Sequence, residues 1–257
     1  MPTPAGLLIV NADDWGRDAW TTSRILDCVD AGGVSSVSAM VFMEDSERAA
    51  ALSRERNIDA GLHLNLTTPL SAKACPRVLR ERQDGLSRYL RRGSWTRVAA
   101  HPGLAQAFDY VVAAQLDEYC RLYEAKPARI DGHHHAHLCA NVLVQRLLPP
   151  GTLVRRNFSF QAGEKSVFNR VYRGFIDRTL ARRHHLVDFF FSLAPLDTPD
   201  RLRRIFSLAR ESVVEVATHP VQPSEYRFLQ GGDIFEWAGV APVRPSVILE
   251  RSASRVS

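Results

Sequence analysis

Short apolar runs alternate with amphipathic stretches along the first part of the chain. Gly6–Asn11 and Val34–Phe42 are apolar runs bounded by polar residues, so each predicts a buried strand. Asp18–Ala31 and Asp45–Arg56 carry apolar residues at helical spacing and predict helices, and Ile58–Leu66 predicts a third strand. This alternation favours parallel strands connected by helices.

A long interruption separates this part from a second series of elements. Thr67–Gly103 is polar, arginine-rich and without a regular pattern, and it is longer than a usual connection, so we expect an insertion or lid above a site. Helices are predicted at Leu104–Glu124, Asn141–Leu148, Ser166–Arg183 and Asp200–Glu211, and strands at Ala128–Asp131, Leu153–Arg155, Val187–Leu193 and Val213–Thr218. About seven strands with intervening helices favour an α/β fold, namely a distorted (β/α) barrel that is either complete or incomplete. An open doubly wound sheet is the alternative.

Length and composition allow one catalytic domain over residues 1–257, with the arginine-rich insertion at about residues 67–103. The apolar content is 45%, which is enough for a substantial core. No apolar run reaches about 18 residues, and Met1–Pro4 lacks the start of a secretory signal, so we expect a cytoplasmic protein. The four cysteines lack metal-binding or redox spacing, and we interpret them as reduced thiols.

The net charge of +5 comes almost entirely from arginine, and arginines concentrate in Pro76–Arg97. A solvated helix face explains such a run without any partner. The alternative is a basic rim that approaches an anionic substrate, which would allow peripheral contact with a membrane or with a lipid-linked substrate. We expect no nucleic-acid partner, and the sequence leaves the oligomeric state open, with a homodimer as one option.

Carboxylate and imidazole side chains follow several of the predicted strands. Asp13 and Asp14 come directly after the first strand, His63 lies in the third, and His133 and His219 follow later strands. Barrel enzymes place their sites at the C-terminal ends of strands. Two adjacent buried carboxylates need compensation by a cation or by a helix N-terminus, so Asp13 and Asp14 alone are compatible with a metal site or with a helix cap.

A histidine-rich tract follows the strand predicted at Ala128–Asp131. Four histidines fall within residues 133–137, and neutral imidazole is a common ligand of zinc-like ions. An exposed loop with incidental metal affinity is the alternative. In an extended chain His133, His135 and His137 would share one face and His134 would point away, so His134 is the least important member of the tract.

The third strand alternates apolar and polar residues. In Gly61–Thr67 the alternation directs His63 and Asn65 to one side, towards a polar cavity, whereas an isolated histidine here would more often be a satisfied core residue. His219 ends the last predicted strand, because Pro220 prevents the strand from continuing. We therefore expect His63 and His219 near the rim of a site.

Four motifs occur in a fixed order: Asn-Ala-Asp-Asp-Trp-Gly, Gly-Leu-His-Leu-Asn-Leu-Thr, Asp-Gly-His-His-His-Ala-His and Thr-His-Pro. With them the chain resembles the YdjC-like family of carbohydrate deacetylases from Leu7 to about Pro220. The family includes chitooligosaccharide deacetylases and a branch associated with hopanoid lipid synthesis, and the resemblance implies a distorted (β/α) barrel. The departures are Gly132 and Trp15, where the family usually has Ser and Phe.

The resemblance implies a site with one divalent metal ion, zinc or magnesium. Asp14, His63 and His133 would bind the ion, and Asp13 would act as the general base. Hydrolysis of an amide also fits these residue types, because a metal polarises the carbonyl and activates water while a free carboxylate accepts the proton. The leaving amine must be protonated, and His219 is the candidate general acid.

Further residues are candidates for substrate contacts or for orienting the ligands: Trp15, Asn65, His135, His137 and Arg155. His135 or His137 could also replace His219 as the acid. The sequence thus predicts a hydrolase that removes the acetyl group from an N-acetylated amino sugar, which could be an oligosaccharide or a lipid-linked or nucleotide-linked sugar. The alternatives are another metal-dependent hydrolase such as a phosphoesterase, and a non-catalytic module that binds an anionic polymer or a membrane.

Overall fold

The computed structural model describes residues 6–93, 95–160 and 164–253. The prediction that Met1–Pro4 lacks a secretory signal therefore falls outside the described residues. Among the described helices, none is both long enough and apolar enough to cross a membrane. All four cysteines are free thiols, and three of them are buried.

Seven strands form one sheet: β1 (Leu7–Trp15), β2 (Ser36–Ala39), β3 (Ala60–Leu64), β4 (Arg129–Gly132), β5 (Leu153–Val154), β6 (Phe189–Ser192) and β7 (Val213–Thr218). Their order in the sheet is β5-β4-β3-β2-β1-β7-β6. The pairs β1–β7, β3–β4 and β6–β7 are parallel. Each predicted strand overlaps one of these seven, so the predicted α/β fold with about seven strands is confirmed.

The described residues also form eleven α-helices: α1 (Ala19–Asp30), α2 (Ser46–Glu55), α3 (Arg77–Leu90), α4 (Trp95–Val98), α5 (Ala105–Tyr123), α6 (Ala140–Val144), α7 (Val167–Ala181), α8 (Pro199–Leu208), α9 (Pro223–Gln230), α10 (Asp233–Ala238) and α11 (Ser246–Ala253). Short 3₁₀ turns cover Pro102–Leu104 and His133–Leu138. The six predicted helices correspond to α1, α2, α5, α6, α7 and α8. The other five helices were not predicted.

One compact unit, called the first unit below, comprises residues 6–13, 23–37 and 153–253 of the described chain. Buried residues of its strands and of the segment before β6 form a core cluster: Ile9, Leu153, Val187, Phe190 and Ala217. The parallel register of β1 and β7 pairs Ala12 with Thr218. Asp13 and His219 therefore follow the last pair on two adjacent strands.

The two edge strands of the sheet, β5 and β6, approach each other within the first unit. Leu153 forms an isolated parallel bridge with His185, and the backbone N–H of Ser159 donates to the carbonyl oxygen of Phe190 at 2.8 Å. These contacts connect the segments around β5 and β6 at isolated points. They agree with the prediction of an incomplete (β/α) barrel.

The other compact unit, called the second unit below, comprises residues 14–22 and 38–152. Its strands β3 and β4 pair in parallel with His63 opposite Asp131 and Leu62 opposite Ile130. Helix α5 packs against α2 and α3. The apolar residues Leu62 and Ile130 are fully buried, so the register that buries them also brings His63 beside Asp131.

The segment expected to be irregular is helical and packed. Within Thr67–Gly103 the structure has α3 and α4, and α3 buries one face of its side chains: Leu79, Gln83, Leu86, Ser87 and Leu90. Because apolar residues recur at helical spacing, the arginines of α3 can lie on its outer side. The expectation of an irregular structure was therefore wrong, and the single catalytic domain and the role of this segment as a lid stay predictions.

Buried polar residues of α3 fix the loop that follows β3. The side-chain amide of Gln83 donates to the carbonyl oxygens of Asn65 at 3.0 Å and Thr68 at 2.9 Å. The hydroxyl of Ser87 donates to the carbonyl oxygen of Thr67 at 2.7 Å. Side chains thus satisfy backbone groups that would otherwise be buried without partners.

Replacing Leu86 with Ala should lower the free energy of unfolding by about 2–5 kcal/mol, because it leaves a cavity at a fully buried position of α3. Val78→Ala on the same helix is the matched control. Val78 is 50% exposed, so its truncation should cost less than about 0.5 kcal/mol. Urea denaturation measures both values, and an equally small effect at the two positions would contradict the packed helix.

Candidate metal centre

Asp14 lies at a backbone turn near the end of β1. Its φ of 70° is in the left-handed region, which aspartate tolerates better than most residues other than glycine. Gly16 continues the turn with a φ of 86°, and a Cβ there would come within 3.1 Å of the carbonyl oxygen of Met40. Since the Asp14 side chain is buried, the turn delivers a carboxylate to the interior of the second unit.

Three side chains that are far apart in the sequence meet in the second unit. Oδ1 of Asp14 is 2.9 Å from Nδ1 of His133 and 3.4 Å from Nε2 of His63. The two imidazole rings meet edge to face with their centroids 5.5 Å apart. One ligand atom from each of the three residues lies within 4.8 Å of the other two. The structure thus brings together the carboxylate and both imidazoles of the predicted ligand set.

The chemistry of this group suits a divalent cation. Oδ1 of Asp14 is buried and makes no hydrogen bond of normal geometry, although both imidazoles approach it. Its other oxygen accepts a hydrogen bond from Arg17 at 3.1 Å. Burial opposes ionisation, yet the pKa of Asp14 is held well below its usual range because His133 and His63 interact with the ionised carboxylate. A carboxylate with two imidazoles is a common donor set for zinc, and these residues could hold a metal ion.

Asp131 orients one of the imidazoles. Its Oδ1 is 2.6 Å from Nδ1 of His63, which leaves Nε2 of that ring facing Asp14. Its Oδ2 accepts from the hydroxyl of Ser38 at 2.5 Å and from Arg129 at 3.1 Å. A carboxylate behind a ligand histidine fixes the ring and its tautomer. Asp131 was not among the predicted site residues, although its position at the end of a predicted strand was an available signal.

The histidine-rich tract is not extended. Residues His133–Leu138 form a 3₁₀ turn, with φ of 54° at His134 and 57° at His135. The interpretation of an extended tract in which His133, His135 and His137 share one face was therefore wrong, because the backbone kinks at His134 and His135. His133 points to Asp14, and the ring of His134 lies against the His133 ring with the centroids 4.0 Å apart. His137 is fully buried and His135 is half-buried.

The arginine-rich segment contacts this turn. Arg97 of α4 donates to the carbonyl oxygen of His134 at 3.0 Å. Nδ1 of His134 is 3.0 Å from the hydroxyl of Thr67, whose carbonyl is held by Ser87 of α3. The helices of the segment thus support the backbone that carries His133.

Two of the residues predicted to contact substrate, Trp15 and Asn65, are buried and hydrogen-bonded within the second unit. The indole of Trp15 is fully buried and donates to the carbonyl oxygen of Ala49 at 3.1 Å and to the hydroxyl of Ser53 at 3.0 Å. Asn65 is also fully buried, and its Oδ1 accepts from the backbone N–H groups at residues 67 and 68, at 3.2 Å and 2.9 Å. Trp15 therefore packs the second unit, and Asn65 shapes the loop after β3.

Asp13 belongs to a buried charge network in the first unit. Arg155 donates to both carboxylate oxygens of Asp13 at 2.8 Å each, and its Nε donates to Glu215 at 2.8 Å. The side-chain amide of Asn11 donates to Asp13 at 2.8 Å. Arg155 is 1% exposed, so its guanidinium orients Asp13 from within the unit. Glu215 was not predicted, and the signal that could have found it is a carboxylate inside an otherwise apolar strand.

His219 lies beside Asp13 in the first unit. Its Nε2 is 3.8 Å from Oδ2 of Asp13, and its side chain is 41% exposed. Its backbone N–H donates to Glu225 at 2.7 Å. Burial raises the pKa of Glu225, partly opposed by this backbone hydrogen bond. The structure thus pairs the predicted acid and base, and it adds Glu225, which the sequence did not indicate.

The chain matches a known protein family over most of its length. The profile described as YdjC-like protein matches residues 7–235, which is most of the chain. The chain belongs to the YdjC-like family. The match includes every residue of the YdjC-like motifs described above, from Asp13 and Asp14 to His219.

Curated relatives of this YdjC-like protein are named as deacetylases. A chitooligosaccharide deacetylase of Enterobacter sp. (strain 638) is 34% identical over 139 residues, which are 51% of this chain and 50% of that protein. A carbohydrate deacetylase of Danio rerio is 30% identical over 146 residues, which are 55% of this chain and 45% of that protein. The chain spans about half the length of the curated relatives it matches.

A solved structure shares the fold of this YdjC-like protein. It comes from Enterococcus faecalis V583 and is provisionally named a cellobiose-phosphate cleavage protein. The TM-score is 0.65 at 16% identity, and the superposition covers 95% of this chain and 99% of that chain. At this identity the likeness concerns the fold alone.

Asp131→Asn should weaken the binding of a divalent ion by about 10–100-fold, because the amide no longer offers His63 a charged acceptor. Titration with zinc against a competing chelator measures the affinity, and circular dichroism verifies that the variant folds. Ser38→Ala is the matched control, since it removes one hydrogen bond to Asp131 but keeps the carboxylate, and its effect should be much smaller. An unchanged zinc affinity in folded Asp131→Asn would refute the orienting role.

Proposed function

We propose that this YdjC-like protein is a metal-dependent hydrolase that removes the acetyl group from an N-acetylated amino sugar. The observation that carries the proposal is the convergence of Asp14, His63 and His133 around one buried oxygen in a member of this family. Relatives named as chitooligosaccharide and carbohydrate deacetylases support the substrate class. An N-acetylated oligosaccharide is therefore the first substrate to test.

Asp14, His63 and His133 would hold one divalent ion. Zinc is favoured over magnesium because two of the three donors are imidazole nitrogens. The ion would polarise the acetamide carbonyl and lower the pKa of coordinated water. Asp131 keeps the His63 ring in one orientation, and Arg17 occupies the second oxygen of Asp14.

Asp13 is the proposed general base. Arg155 and Asn11 together donate three hydrogen bonds to its carboxylate, which stabilise the ionised form and fix its orientation. A carboxylate that does not bind the ion can accept the proton that water loses as it attacks the acetamide carbon. Arg155 thus acts through Asp13 as a positioning residue.

His219 is the proposed general acid. Amide cleavage requires a proton on the leaving nitrogen, and imidazole titrates near neutral pH. His219 is favoured over the fully buried His137 because it is partly exposed, and over His135 because it lies next to the proposed base. Its backbone is held by Glu225, so the ring projects from a fixed position at the end of β7.

Three forms of the amino sugar are compatible with the proposed reaction. The sugar could be an oligosaccharide or could be linked to a lipid or a nucleotide, and each form offers the same acetamide. A cytoplasmic location and a homodimer also stay predictions. The three forms of the sugar share the chemistry of the reacting acetamide and differ in what the rest of the substrate contacts.

The zinc-loaded full chain should release acetate from N-acetylglucosamine oligomers, and release should stop on chelation and return when zinc is restored. His63→Ala should lose both zinc and acetate release. Phosphate release from phosphorylated sugars without acetate release would instead support a phosphoesterase. Binding to an anionic polymer that survives His63→Ala, without hydrolysis of either substrate, would support a non-catalytic module.

Asp13→Asn should reduce kcat by about 10²–10⁴-fold while the zinc content stays near that of the wild type, because it removes a base and not a ligand. Asp14→Ala should lose both zinc and turnover. Metal analysis and acetate release on the same samples separate the two roles. Asp200→Asn is the charge-matched control, since Asp200 is a solvent-exposed carboxylate on α8, and equal zinc loss in Asp13→Asn and Asp14→Ala would overturn the assignment.

A further inference from the structure

Helix α7 of the first unit exposes apolar side chains on its outer face. Phe168 is 90% exposed and Phe175 64% exposed, and both are aromatic. The members of this outer face share helical spacing over about two turns: Val167, Phe168, Val171, Tyr172 and Phe175. Contiguous apolar surface of this kind on a helix indicates a contact with another apolar phase.

The inner face of α7 is already occupied by the first unit. Ile176 and Leu180 are buried. Asp177 is the only acidic residue of α7, and it faces inward, where it accepts hydrogen bonds from Arg156 and from Asn157. The helix is therefore anchored on one side, and its outer face is an additional surface that the packing of the unit does not require.

Arginines flank the outer face without a neighbouring acid on the helix. Arg170, Arg178 and Arg182 are exposed along α7 and at its C-terminal end. An amphipathic surface with aromatic and aliphatic residues between arginines is typical of helices that lie in the interface of an anionic bilayer. The arginines then contact lipid phosphates while the apolar side chains enter the acyl boundary.

A cavity of about 280 Å³ adjoins the same helix. Arg170 and Arg173 of α7 and Arg204 of α8 line it together with Phe160, and the carboxylates of Asp177 and Asp188 line it as well. Arg173 lies over the Phe160 ring at 5.1 Å, and burial lowers its pKa, whereas Asp177 opposes this shift. Because Asp177 faces inward, the cavity does not belong to the outer face, and the outer face alone is the candidate docking surface.

We propose that α7 docks the protein on the surface of a bilayer that contains anionic lipid. The outer face inserts at the headgroup and acyl boundary, and Arg170, Arg178 and Arg182 bind lipid phosphates. The proposal does not depend on the metal site, since it rests on α7 and its neighbours in the first unit alone.

A second copy of the chain fits this surface less well. A two-fold contact through the outer face would place the arginines of one copy near those of the other, and no acid on α7 faces outward to compensate them. An anionic bilayer supplies both the apolar phase and the opposite charge.

Co-sedimentation of the full chain with vesicles tests the proposal. The protein should bind vesicles of equimolar phosphatidylglycerol and phosphatidylcholine, bind phosphatidylcholine vesicles much more weakly, and dissociate as salt is raised. Phe168→Gln combined with Phe175→Gln should weaken partitioning at least about tenfold. Arg170→Gln combined with Arg178→Gln should weaken it about fivefold for each arginine.

Exposed residues of the second unit provide the controls. Val144→Gln on α6 alters a side chain that is 70% exposed, and Trp95→Gln on α4 alters one that is 79% exposed, so both should leave partitioning unchanged. Loss of binding in Trp95→Gln with retention in the α7 variants would overturn the proposal in favour of the arginine-rich segment. A wild-type dimer that the double phenylalanine variant converts to monomers, without vesicle binding, would also overturn it.

Discussion

The candidate metal centre depends on one electrostatic constraint: an ionised carboxylate oxygen is buried between two imidazoles and makes no regular hydrogen bond. Burial of such a charge is costly unless a cation or a donor compensates it. Two protonated imidazoles in edge contact would repel each other, whereas one divalent ion can accept lone pairs from both rings and from Oδ1 of Asp14. The left-handed turn at Asp14, the register of β3 with β4 and the 3₁₀ turn at His133 all serve to create this convergence.

The adjacent carboxylates Asp13 and Asp14 show how neighbouring residues acquire different chemistry. The left-handed φ of Asp14 departs from strand geometry directly after Asp13, and the two carboxylates accept hydrogen bonds from different donors. Asp13 receives hydrogen bonds from Arg155 and Asn11, all three within the first unit. Asp14 faces His63 and His133, all three within the second unit. Donors satisfy and orient Asp13, whereas Oδ1 of Asp14 faces two imidazole nitrogens without a hydrogen bond of normal geometry. This difference is the physical basis for assigning the base to Asp13 and the ion to Asp14.

The sequence predicts the strands and the residues at their ends well, because apolar runs and polar residues at their termini are local signals. It does not predict the turn of the histidine tract, since His134 and His135 adopt positive φ values, which are uncommon for residues other than glycine. Asp131 was not predicted as a site residue, because its role depends on which strands pair and in what register. Helix α3 was not predicted, because its apolar residues recur at helical spacing among many arginines and are few.

The arginines also show why net charge does not locate a surface of interaction. In the arginine-rich segment, Arg80, Arg82 and Arg97 donate to carbonyl oxygens of the chain itself, so part of this charge holds the second unit together. On α7, Arg170 and Arg178 point outward beside apolar side chains, and the one acid of the helix is turned inward. Arginines therefore have different roles in the two places. An arginine that donates to a carbonyl oxygen of the chain contributes to stability, whereas an arginine beside the exposed apolar face of α7 is available to bind lipid phosphate, as proposed above. The direction of each side chain, which sequence does not supply, decides between them.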